Sequence, residues 1–237
     1  MKVIGSRSFI LVLVIFGLLA WSVPGSFSRA TAAQTEKGDT FLYADFEKQE
    51  NGRAVSNHGG MIQIYAVQES TPVSFKGLPN TSPAAPEVVK IKPDDPNHLA
   101  TFDYSLRGPN QWANVTMQVL GHPYENGKPV ADDVSTYKYL SLQLYVTGVP
   151  YVTVELASQG QGLKINSGFP QASIKIQPNL NTYRIPLKSL TQPSWVQDKV
   201  DTKAVLQKLT AVNITVGCNQ CLPVNGTVVV DNLVFQK

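Results

Sequence analysis

From residue 40 onward the chain alternates apolar and polar side chains, and the alternation restarts at short intervals. In YLSLQLYV (139–146), Leu140, Leu142, Leu144 and Val146 point to one side, and Tyr139, Ser141, Gln143 and Tyr145 to the other. A pleated strand reverses its side chains at every residue, so a period of two buries one face and frees the other. In YVTVELAS (151–158), Val152, Val154 and Leu156 likewise alternate with Tyr151, Thr153 and Glu155. The same pattern recurs in MIQIYAVQ, EVVKIK, ATFDYSL, WANVTMQVL, ASIKIQP, TYRIPL, AVNITV and TVVVDNLVF. Ten short strands separated by Gly, Pro and Asn predict an all-β sandwich. Only DTKAVLQKL (201–209) reads as a helix, a short connector with Asp201 as its N-cap.

The start of the chain follows other rules. Lys2 and Arg7 precede an apolar run of 13 residues (9–21), Pro24 and Gly25 break it, and Ala30-Thr31-Ala32 supplies small residues for cleavage. That is the layout of a secretory signal peptide, and a membrane span needs about 20 residues. The expected organisation is a signal peptide over 1–32, a polar tether over 33–39 and a single β-sandwich domain over 40–237. The chain is then secreted or periplasmic, with no stable membrane anchor after cleavage. Residues 1–32 carry Lys2, Arg7 and Arg29 and no acid. Of 20 basic and 17 acidic residues, 17 of each therefore remain. A neutral chain has no electrostatic footprint for nucleic acid.

Cys218 and Cys221 form a lone C-x-x-C between two strand-like runs. Zinc takes about four ligands, and redox pairs sit at a helix N-terminus. A disulfide pinning a hairpin loop is expected in an exported chain. His58, His98 and His122 lie in unrelated contexts, and no nucleophile elbow, H-E-x-x-H or phosphate loop is present. The chain is not expected to be an enzyme. SNHGG (56–60) reads as a tight turn, with Asn57 and His58 as its ligand-contact candidates. The sequons at Asn80, Asn114, Asn213 and Asn225 depend on a host that glycosylates.

The non-core faces carry the functional signal. On WANVTMQVL, Val115, Met117 and Val119 point inward, leaving Trp112, Asn114, Thr116 and Gln118 on the other face. MIQIYAVQ turns Gln63 and Tyr65 outward in the same way. Aromatic rings beside amides suit sugars, because a ring covers a pyranose C–H face while amides bond the hydroxyls. The stacking candidates are Tyr65, Trp112, Tyr139 and Tyr145, with Asn114 and Gln143 as hydrogen-bonding partners.

With LYADFEKQENGR, QWANVTMQVL, VSTYKYLSLQLYVTG, NTYRIPLKSLTQPSW and KLTAVNITVG…GTVVVDNLVF in this order, the chain resembles a galactose-binding-like jelly roll. It is most similar to the family-11 carbohydrate-binding modules, over roughly residues 40–237. The resemblance implies non-catalytic binding of a polysaccharide or oligosaccharide. It also bears on Asp231, a carboxylate inside an apolar run and therefore costly unless paired, coordinated or hydrogen-bonded. In such modules an acid of the first strand meets one of the last at a structural calcium. That implies Asp45 and Glu47, on one face of the first strand, together with Asp231; bonds from backbone N–H groups or a lysine are the alternative. The open strands supply few acids beyond Glu155 and one arginine, Arg184, fewer than the family's cleft carries. The rival function is a protein–protein interaction or assembly module of the same jelly-roll fold.

Overall fold

The run that carries Asp231 becomes the longest strand, and one sheet is assembled along it. The computed structural model describes residues 38–68, 73–74, 84–106, 112–219 and 223–237. In chain order its strands are β1 (Thr40–Ala44), β2 (Gln49–Glu50), β3 (Arg53–Ala54), β4 (Ile62–Gln68), β5 (Val73–Ser74), β6 (Glu87–Lys90) and β7 (His98–Leu106). They continue with β8 (Trp112–Leu120), β9 (Tyr139–Val146), β10 (Tyr151–Ala157), β11 (Gln171–Lys175), β12 (Asn181–Pro186), β13 (Ala211–Asn219) and β14 (Val224–Gln236). The helix is α1 (Thr202–Leu206), and the Asp201 carboxylate caps it by accepting the Lys203 N–H at 3.0 Å.

A seven-stranded antiparallel sheet runs β12-β9-β14-β7-β5, with β1 also on β14 and β6 also on β7. A five-stranded antiparallel sheet runs β11-β10-β13-β8-β4. The inward residues of both close one core. Leu142, Leu144, Val228 and Val230 from the first meet Val154, Ile214, Val216 and Met117 from the second, all fully buried. Burying such side chains stabilises by about 1.5–3 kcal/mol each before conformational entropy is charged. The result is the expected all-β jelly-roll sandwich, and every described residue falls in one compact unit, Thr35–Lys237.

A smaller apolar cluster lies apart from the main core. Phe169, Val196, Val205, Ile165, Ala157 and Ala211 pack together, which ties the loops around 158–170 and 192–200 to one end of the five-stranded sheet. Gln192 tightens the same region: its amide donates to the Gly168 carbonyl at 3.2 Å and its oxygen accepts the Val200 N–H at 2.9 Å.

The first strand ends at Ala44, earlier than the alternation suggests. Phe46 has φ 61° and turns its ring into the core, so Asp45 and Glu47 sit on a bend, not on a strand face. Asn232 has φ 50°, and the β14–β9 register slips between Asp231 and Val234. A bulge inserts a residue and re-aims the side chains around it, which period-two counting does not register.

His122 holds a second buried acid. Its Nε2 donates to Asp132 Oδ1 at 2.8 Å, and Asp132 is buried. That hydrogen bond raises the imidazole pKa above its ordinary value, against the opposing effect of burial and with help from the Asp132 and Glu125 charges. A raised folded-state pKa gives stability that is complete below the unfolded value, about 6.5, and lost as pH rises through the folded value. The melting temperature is therefore expected to fall as pH rises above about 6.5. His122→Gln should flatten that slope in a pH series of thermal melts. An equal slope in both proteins would assign it to other groups.

Candidate functional site

The outer face of the five-stranded sheet is built of polar rungs. Glu155 pairs with Gln171 and Asn213, Asn213 with Gln118, and Gln118 with Gln63, so one rung of amides and a carboxylate crosses all five strands. The next rung is Ser173, Thr153, Thr215, Thr116 and Tyr65. Beyond it Gly217 faces Asn114 and leaves bare backbone there. The hydroxyls of Thr116 and Thr215 bond at 2.8 Å, and Gln63 Nε2 donates to Gln118 Oε1 at 3.3 Å.

Loops raise one wall over this floor and enclose a cleft of about 580 Å³. Trp195 and Tyr151 carry its aromatic surface and are 67% and 52% exposed. Gly168, at φ 68°, lets the wall close: a Cβ there would stand 2.3 Å from Val196 Cγ2 and 2.7 Å from the Trp195 ring. The indole thus lies against backbone and cannot fold away in that direction.

Glu155 is fixed in the cleft by two donors. Asn213 Nδ2 donates to Oε1 at 2.8 Å and the Phe169 N–H to Oε2 at 3.1 Å. Burial raises its pKa, opposed by those same two hydrogen bonds. The Oδ1 atoms of Asn114 and Asn213 are buried in the cleft lining with no hydrogen-bond partner. Buried polar atoms almost always have one, and because these two are closed to solvent a ligand reaches them only if the amides turn. Their burial also makes the sequons at Asn114 and Asn213 poor glycan acceptors. The exposed Asn225 is open, and Asn80 lies outside the described residues.

The six sequence-read ligand residues divide between two sheets. Tyr65 and Asn114 lie on the cleft face, Asn114 in its lining and Tyr65 one strand further out. Trp112 begins β8, and its side chain lies outside the described residues. Tyr139, Gln143 and Tyr145 belong to β9, in the seven-stranded sheet, and point away from the core on the opposite side of the sandwich. Tyr139 is covered there by the Arg184 guanidinium, 3.6 Å from its ring centroid. One face cannot use both sets. Alternation separates inward from outward but does not report sheet membership. Trp195, Tyr151, Gln171 and Asn213 are cleft residues that the binding-face reading missed. Tyr151 and Asn213 carried the outward phase of their strands, whereas Trp195 sits in a loop without periodicity.

SNHGG is a structural clasp. Ser56 Oγ donates to the Gly121 carbonyl at 2.6 Å and accepts the Gly60 N–H at 2.9 Å. Asn57 exchanges two bonds with Asp45, through Asp45 N–H at 2.9 Å and Asp45 Oδ2 at 3.0 Å. His58 donates to the Leu42 carbonyl at 3.2 Å and stacks on Phe41.

Asp231 is held by amides. Its Oδ1 accepts the Asn232 N–H at 2.7 Å, and its Oδ2 accepts Asn97 Nδ2 and Asn232 Nδ2, both at 2.9 Å. Burial raises its pKa, those bonds oppose the rise, and the nearby charges of Glu47 and Asp45 add to it. The three acids implied as calcium ligands are thus within electrostatic reach of one another. Glu47 is engaged by His98, whose N–H and Nδ1 each donate to it at 2.6 Å. Among the described residues no three acid, histidine or cysteine side chains gather closely enough to form a ready metal cage. Cys221 and the Cys218 side chain lie outside the described residues, as do residues 1–37. No described helix is long and apolar enough to cross a membrane.

No protein-family model and no curated protein matches the chain. Among solved structures, its fold is similar to the family 11 carbohydrate-binding module of a Clostridium thermocellum cellulosomal cellulase. The two are 16% identical over 83% of this chain and 94% of the module, at TM-score 0.48. The same module in complex with a β-1,3-1,4-mixed-linked tetrasaccharide gives 16% identity, 83% and 95% coverage, and TM-score 0.49. A family 30 carbohydrate-binding module is similar at 11% identity, 73% and 99% coverage, and TM-score 0.46. The family that the sequence motifs resemble is therefore among the structural neighbours.

Proposed function

We propose that this chain is an exported, non-catalytic carbohydrate-binding protein that takes a polysaccharide strand in the cleft of the five-stranded sheet. The observation that carries the reading is the pair of exposed rings, Trp195 and Tyr151, in one cleft with the amide and hydroxyl rungs of the sheet. Sugar hydroxyls bond amides and hydroxyls of this kind, and pyranose C–H faces cover such rings. The lining is rich in hydroxyls and amides, and Glu155 is its one carboxylate among the described residues, which suits a neutral chain. Hydrolysis of a glycosidic bond takes two carboxylates about 5–10 Å apart, so the reading is binding. The test is a titration of the full chain with neutral polysaccharides, beginning with the mixed-linked β-glucan. Saturable binding that Glu155→Ala weakens is the expected result. A folded protein that binds no polysaccharide would overturn the reading in favour of a protein partner.

The proposal includes a structural calcium at Asp45, Glu47 and Asp231. The like charges that raise the Asp231 pKa favour a cation between them. Turning the amide of Asn97 would exchange its N–H donor for an oxygen, the ligand type calcium takes. The calcium would hold the β1 end against the β14 bulge and take no part in binding chemistry. Millimolar calcium is expected to raise the melting temperature by several degrees, and a chelator to reverse it. Asp231→Asn should abolish that response. Equal melting temperatures with calcium and with chelator would leave the amide network as the whole of this site.

A further inference from the structure

A second cavity, of about 330 Å³, opens where β9 begins and β12 ends. It shares no lining residue with the polysaccharide cleft. Tyr137, Tyr139, Leu187 and Leu206 give it apolar walls, with Tyr137, Leu187 and Leu206 buried. Its walls are tied to the framework: the Leu187 N–H donates to the Lys138 carbonyl, the Val134 N–H to the Leu206 carbonyl and the Lys138 N–H to the Gln236 carbonyl, each at 2.8 Å. The cavity is therefore preformed, and its volume lies within the range of small-molecule sites, about 300–1,000 Å³.

Its rim is cationic. Lys138, Lys188 and Lys203 are exposed around the opening, and Arg184 lies over the Tyr139 ring beside it. The acids in the flanking turns are Asp133 and Asp201, and each spends a carboxylate oxygen on a backbone N–H, of Ser135 and Lys203 respectively, at 3.0 Å. Cations thus outnumber acids around an apolar interior. A neutral sugar gains nothing from that field, and a bare inorganic anion gains nothing from the walls.

We propose that this cavity binds a small amphipathic anion: a ring or short aliphatic group in the apolar interior, with one carboxylate or sulfonate against the lysine rim. Exposed ammonium groups act at high dielectric, so the anionic part of the affinity is screened by salt.

The test uses the full chain and two fluorescent probes of similar size, anilinonaphthalene sulfonate and the neutral phenylnaphthylamine, with octanoate as competitor. The sulfonate is expected to saturate one site, to weaken as salt is raised and to be displaced by octanoate. The double variant Lys188→Glu/Lys203→Glu should lose about tenfold or more in sulfonate affinity, about 1.4 kcal/mol or more, and leave the neutral probe unchanged. Ser135→Trp, which fills the cavity without changing charge, should abolish binding of both probes. Both variants are surface changes whose melting temperature and polysaccharide affinity should match the parent, so failure here is distinct from failure of the cleft reading. Equal, salt-insensitive affinity for both probes, unchanged sulfonate affinity after charge reversal, or binding that survives Ser135→Trp would each overturn the proposal.

Discussion

Replacing Trp195 by alanine is expected to weaken polysaccharide binding by about tenfold or more, roughly 1.4 kcal/mol, with the melting temperature unchanged within a degree or two. The two halves of that expectation have one cause. Trp195 is 67% exposed, so its indole contributes little to the core and much to whatever covers it. Aromatic side chains bring large contact area at low entropic cost and dominate recognition when they are pre-positioned. Gly168 does the positioning, because the indole and Val196 occupy the space where any other residue would carry a Cβ. Gly168→Ala should therefore displace the ring and weaken binding as well. Tyr145→Ala is the control, since Tyr145 faces outward from the opposite sheet. Loss of binding in Tyr145→Ala with retention in Trp195→Ala would move the site to the seven-stranded sheet. The measurement is a calorimetric titration with the polysaccharide that binds the parent chain.

Gly60→Ala is expected to cost the fold about 3 kcal/mol, a drop of about 6–12 °C in melting temperature for a chain of this size. A Cβ at Gly60 would stand 2.2 Å from the Leu120 carbonyl oxygen and 2.7 Å from the Gly121 carbonyl carbon. Both are backbone atoms of a packed strand end, so no flexible side chain can yield. The Gly60 N–H also bonds Ser56 Oγ, which in turn donates to the Gly121 carbonyl. Displacing Gly60 therefore strands a buried hydroxyl, which adds the cost of an unmade hydrogen bond. Thermal or denaturant unfolding of the variant measures this directly. A melting temperature within two degrees of the parent would mean that the clasp can open without loss, and that the SNHGG loop is free for another role.

Much of the fold was legible because alternation is a local consequence of pleating. Val152, Val154 and Leu156 had to share a face whatever their neighbours were, and their burial requires a second layer. Asp201 was legible as a cap for the same local reason, since its carboxylate reaches an N–H two residues away. The site was only half legible. Asn114 and Tyr65 were read onto the cleft face from the outward phase of β8 and β4. Tyr139, Gln143 and Tyr145 had the same phase and went to the other sheet.

That division has a physical reason. Phase along a strand depends on residues within a few positions of each other, so composition and spacing determined the strands and their buried faces. Sheet membership depends on pairings far apart in sequence, such as Asn213 with Gln118 and Asp231 with Gln143, which no local pattern encodes. The cleft needed still more: Gly168 had to meet Val196 and Trp195 across a loop, and Phe169 had to anchor that loop on the sheet. The sequence by itself determined what each strand could bury. Only the tertiary structure decided which outward residues meet, because contact between distant segments is chosen by the packing of the whole core.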